Sequence, residues 1–86
     1  MLIGKVVGSV VSTRKNENLV GSKFMIVETL DKFGGEKQLI AVDNVGAGIG
    51  EEVLVATGSA ARLATSADAP IDAAIVGIVD EKQGNL

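Results

Sequence analysis

The chain has 86 residues, enough for one small domain around one core. It contains no histidine, cysteine, tryptophan or tyrosine, which excludes disulfides, thiolate nucleophiles, cysteine-bound zinc or iron–sulfur clusters, and imidazole acid–base catalysis. Eight basic against eleven acidic residues leave a net charge of −3, and 47% of the chain is hydrophobic, nearly all of it aliphatic. These proportions describe a folded, acidic chain that is a poor general binder of polyanions.

Residues 2–12 (LIGKVVGSVVS) have the valine content and period-two texture of a strand. Leu2, Gly4, Val6, Gly8 and Val10 fall on one face, while Lys5 and Ser9 interrupt Ile3, Val7 and Val11 on the other. Glycines at 4 and 8 suggest a bend or a close backbone approach. Residues 13–22 are polar, end in Gly-Ser and read as a loop. A second strand is expected over 23–30, with Phe24 and Ile26 on one face and Met25 and Val27 on the other.

Gly34-Gly35 is a hairpin signal between this strand and a third at 38–43. A glycine-rich loop leads to a fourth strand at about 52–57. Ser59 is a candidate N-cap for a short helix through Ala60, Ala61, Arg62 and Leu63. Pro70 ends that region, the last strand is expected at 73–81, and residues 82–86 form a loosely held tail. A single domain over 1–81 follows, all-β with one short helix. A five-stranded OB-like small β-barrel fits, though periodicity alone does not separate it from other small barrels or a sandwich.

Strands one, two and five are apolar on both faces, whereas a solitary barrel turns polar residues outward. In the last strand Ala74, Val76 and Ile78 alternate with Ile75, Gly77 and Val79. Something must cover the second face, and a further copy of the chain is the expected cover. No apolar run has the length of a membrane span and the N-terminus lacks the pattern of a secretory signal, so a soluble cytosolic chain without a membrane partner is expected.

The loop from Asn44 through Gly46, Ala47, Gly48, Ile49 and Gly50 to Glu51 invites comparison with phosphate-binding loops. Its spacing is G-x-G-x-G, no Lys-Ser/Thr follows, and Glu51 and Glu52 would repel a phosphate. A tight packing loop is the better account. The carboxylates Asp43, Glu51, Glu52, Asp72 and Asp80 match no calcium-loop spacing, and the serines have no histidine to activate them. No catalytic residue, metal or cofactor is therefore expected. The alternative for a barrel of this type is a single-strand nucleic-acid or ligand-binding module, but Phe24 and Phe33 are the only stacking aromatics.

Four blocks in order, GKVVGSVVSTRK with Leu19, Gly21 and Lys23, then AVDNVGAGIGEEVLV, GSAAR and PIDAAIVGIVD, resemble the vertex proteins of bacterial microcompartments. The resemblance runs from about residue 2 to 80. It implies an OB-like barrel assembling as a cyclic homopentamer, partnered by hexameric shell proteins in a microcompartment shell in the bacterial cytoplasm, with no enzymatic activity and no nucleic-acid partner. It also implies that the 44–51 loop lies near a subunit boundary or the five-fold axis. Candidate interface or axial positions are Ser12 and Thr13, that glycine loop, Ser59, Ala60, Ala61 and Arg62, Asp72 as the acid for Arg62, and Ile75, Gly77 and Val79 on the last strand.

Overall fold

The computed structural model describes residues 1–29 and 37–84. It contains β1 (Leu2–Val10), a 3-10 turn (Glu17–Leu19), β2 (Lys23–Thr29), β3 (Gln38–Asp43), β4 (Glu52–Thr57), α1 (Ser59–Ala64) and β5 (Ala73–Ile78). The expected Gly34-Gly35 turn lies outside the described residues. The strands close into a barrel in the order β1-β2-β3-β5-β4. Every neighbouring pair is antiparallel except β3 and β5, whose parallel register joins Val42 to Ala74 and Asp43 to Ile75. The expected mostly-β barrel with one short helix is thus the observed fold.

The core is small and aliphatic. Val6, Val27, Val53, Val55 and Ile75 are its largest fully buried side chains, joined by Met25, Ala41, Ala47 and Ala73, with Leu2, Leu39 and Ile78 packed against them. Simple alternation fails at two places, both at bulges. In β1 the register passes from Val6↔Val27 to Gly8↔Ile26, so Val7 is the extra residue. Gly8 and Val10 thereby leave the face shared by Leu2, Gly4 and Val6 and stand opposite the outward Ile26 and Phe24. In β5 the register passes from Val55↔Ile75 to Leu54↔Gly77, which brings Ile78 onto the inner side with Ile75 rather than with Ala74 and Val76. Such bulges bend strands and add the twist that a closed barrel requires.

Element ends differ from expectation for local reasons. β1 stops at Val10 rather than at residue 12, because the Ser12 hydroxyl donates to the Arg14 carbonyl (3.0 Å) and Lys15 Nζ to the Ser12 carbonyl (2.7 Å). Side chain-to-backbone bonds of this kind compete with a ladder. α1 is capped by Gly58, with no side-chain cap bond, and Ser59 is the first helical residue rather than the cap. β5 ends at Ile78 rather than at residue 81, although the Val79 amide still donates to the Glu52 carbonyl at 2.9 Å. Residues 80–84 are exposed, and Lys82 Nζ pairs with Glu52 Oε2 at 2.9 Å.

Candidate functional site

The outer wall of the barrel is where sequence and structure leave apolar surface without a partner. Cross-strand register places Val10 and Phe24 in one row, continued by Val42, which is buried within the chain, and Gly8, Ile26 and Ile40 in the next. On the other side of β1, Ile3, Leu54 and Gly77 form a third row. Val7, Val10 and Ile40 are exposed, and Phe24, Ile26, Ile3 and Leu54 are half-buried. Between these apolar rows lies a charged one, in which Lys5 stands between Glu28 on β2 and Glu52 on β4. The expectation that strand faces beyond the core are apolar is met on β1 and β2. On β5 it is weaker, since Ala74 is fully buried and Gly77 has no side chain.

The glycine loop is closed on itself. The Asp43 carboxylate, buried at the end of β3, accepts from three successive backbone amides: Val45 at 3.0 Å and Gly46 at 3.1 Å on Oδ1, and Ala47 at 2.9 Å on Oδ2. Glu51 Oε1 accepts from the Gly48 amide at 2.7 Å. The Gly50 amide donates to the Val6 carbonyl at 2.7 Å, and the Val6 amide donates to the Glu51 carbonyl at 3.0 Å. The amides of Val45, Gly46, Ala47, Gly48 and Gly50, which a phosphate loop would offer to a ligand, are therefore committed to the chain's own oxygens. Ala47 is buried in the core, while Val45 and Ile49 are exposed, Ile49 to 68%.

The other candidates divide by burial. Thr13, Asn44, Gly46, Gly48, Gly50, Glu51, Ser59, Ala60 and Asp72 are exposed, and Ser12, Arg62, Gly77 and Val79 half-buried. Ala47, Ala61 and Ile75 are packed inside the chain's own barrel, Ala61 at 0% exposure. Ile75 faces inward opposite the buried Val55, Ala47 drops from its loop into the same core cluster, and Ala61 is covered where α1 docks. The structure joins the start of α1 to the approach to β5, through Gly58 N to the Asp72 carbonyl (2.8 Å) and Arg62 Nη1 to the Ile71 carbonyl (3.3 Å). Arg62 thus meets the carbonyl beside Asp72 and forms no ion pair with Asp72 among the described residues. Asp43, considered in the sequence only as one of several nearby acids, is the organising group of the loop. The D-x-x-G pattern of Asp43 to Gly46, an Asx-turn signal, was the available clue.

A groove of about 150 Å³ lies beside the loop, lined by Asn18, Ser22, Asn44, Thr65 and Ser66 with Val42, Ala69 and Ile71. None of these residues ionises, so the groove offers no acid–base pair. Among the described residues, no three His, Cys, Asp or Glu side chains are grouped to hold an ion, and no helix is long and apolar enough to cross a membrane.

Comparison with known proteins agrees with this geometry. The chain is 52% identical over 84 residues to the bacterial microcompartment shell vertex protein GrpN of Rhodospirillum rubrum, covering 93% of each chain. It is 51% identical over 83 residues to the carboxysome shell vertex protein CcmL of Synechocystis, covering 93% of this chain and 83% of that one. The solved structure of GrpN from Rhodospirillum rubrum, described as a pentameric microcompartment shell protein, superposes with a TM-score of 0.84 and 46% identity over the whole of both chains. These relatives give the nucleic-acid alternative no support. Residues 1–80 match the family described as ethanolamine utilisation protein EutN/carboxysome, and the chain therefore belongs to that family of microcompartment and carboxysome shell vertex proteins.

Proposed function

We propose that this protein is a structural, non-catalytic subunit that forms cyclic pentamers and caps the vertices of a microcompartment shell in the bacterial cytoplasm. The observation that carries the proposal is the full-length superposition on a pentameric shell protein. The apolar outer rows of β1 and β2 agree with it: a ring needs one patch of each subunit to meet a different patch of the next. Its partners are further copies of itself and hexameric shell tiles. A layer of hexagonal tiles is flat, and it closes into a polyhedron only where five-fold units replace six-fold ones.

Native mass spectrometry tests the ring. A species of about 44 kDa, five copies of 8.8 kDa, is expected at micromolar concentration. A chain that stays monomeric across that range overturns the proposal.

A further inference from the structure

The loop between β3 and β4 combines two properties: its backbone is hydrogen-bonded on both sides of the tip, and the tip itself is apolar and uncovered. Ile49 stands between Gly48 and Gly50, which give it no side-chain neighbours in sequence, and it is 68% exposed. The backbone beneath it is held at both shoulders, by the Asp43 carboxylate on Val45, Gly46 and Ala47 and by the Val6 and Glu51 bonds on the far side. The Ala47 side chain anchors the middle of the loop in the core. An apolar knob on a rigid stalk loses little conformational entropy when it is covered, so its burial is available to stabilise a contact.

We propose that Asp43 is a positioning residue for ring assembly: by fixing the 44–51 loop before association, it presents Ile49 to a second copy of this chain. The inference presupposes the shell-subunit assignment above. The second copy is the chosen occupant because the full-length structural relative is itself pentameric. Asp43 is buried and touches only its own loop's amides in these bonds, so it acts through the loop.

Two variants probe the loop from opposite sides. In Asp43→Asn, Oδ1 can still accept from Val45 and Gly46, but the side-chain amide meets the Ala47 N–H donor to donor. In Gly46→Ala the carboxylate is untouched. There, φ is +82° and a Cβ would meet nothing within 4 Å, so the substitution acts only on loop backbone conformation. Ring dissociation is read by native mass spectrometry through a dilution series, for each variant, for Ile49→Ala and for Asp43→Asn with Ile49→Ala. Amide hydrogen exchange is read in parallel.

Each loop variant is expected to raise the concentration at which the ring dissociates by about tenfold or more. The Ala47 amide should exchange faster in Asp43→Asn while those of Val27 and Val55 remain protected. The double variant should be weaker by less than the product of the two single effects, because both act through one loop. If Asp43→Asn fails to fold, Gly46→Ala and Ile49→Ala carry the test. Rings that dissociate at the wild-type concentration in the loop variants, or effects that multiply independently, overturn the inference while leaving the pentamer standing. A monomeric wild type overturns the functional assignment first and this inference with it.

Discussion

At Gly4 the wall of the barrel leaves no space for a methyl group. A Cβ there would collide with Val27 Cγ1 and lie 3.0 Å from the Glu28 carbonyl oxygen, a backbone atom engaged in the adjoining strand. Gly4→Ala should therefore destabilise the protein by about 2–3 kcal/mol, the ordinary cost of overpacking a core. Gly8 makes the control, since its Cβ would press only on the flexible Cδ1 end of Ile26, at 3.3 Å, and touch the rest of that side chain at ordinary contact distance, and Gly8→Ala should cost less than about 1 kcal/mol. Urea unfolding at matched protein concentration reads both, and equal midpoints would refute the distinction. The sequence marked both glycines as sites of close approach, but it could not say which of them faces inward. That depends on the bulge between them. Asp43 shows the same limit. Its identity was plain, yet the three amides it collects come together only once the loop has turned back over it.

At the scale of elements, α1 carries two neighbouring alanines with opposite roles. Ala61 is fully buried where the helix rests on β4 and β5, and Ala60 points to solvent. Ala61→Leu should lower stability by about 1–3 kcal/mol through overpacking. Ala60→Leu should leave the barrel within about 0.5 kcal/mol of wild type and should weaken the ring in native mass spectrometry. An Ala60→Leu ring as stable as wild type would remove that helix face from the interface. The elements themselves were legible: β3 and β4 begin and end where pattern and glycine signals placed them, and the strand content was set by runs of valine and isoleucine. What was hidden was the facing of residues beyond a bulge. Period two holds only while each residue has one partner, and an unpaired Val7, or a skipped rung in β5, inverts every side chain that follows. Ile78 was placed with Ala74 and Val76 for that reason, and Ile75 among the interface candidates although it lies in the core.

Over the whole molecule, the barrel's surface is divided into apolar rows and one charged row. The interior is filled by aliphatic side chains no larger than Ile and Met. Part of the aliphatic content noted in the composition is therefore real surface, on β1, β2 and β3. On the proposed function this surface is covered within a ring, and the ring in turn completes a shell. Hexameric tiles expressed with this chain should form closed particles by electron microscopy, and without it they should form sheets, tubes or particles with open corners. Closed particles of the same size and number without the chain would refute a vertex role. The ion pair of Lys82 with Glu52 contributes little to either level. Both groups are about one-third exposed, and pairs of that kind are worth under about 1 kcal/mol.

Closure of the strands into a circuit has a consequence for how copies of this chain can meet. An open sheet ends in a row of unpaired amides and carbonyls, and any similar edge can add to it without limit or fixed angle. Here the circuit runs from β1 through β2, β3, β5 and β4 back to β1, so among the described residues no strand keeps a whole edge unpaired to template another. Recognition between copies then rests mainly on side chains. The angle between neighbours becomes a property of a few apolar shapes, and evolution can retune the curvature of an assembly by exchanging surface residues while the backbone stays the same.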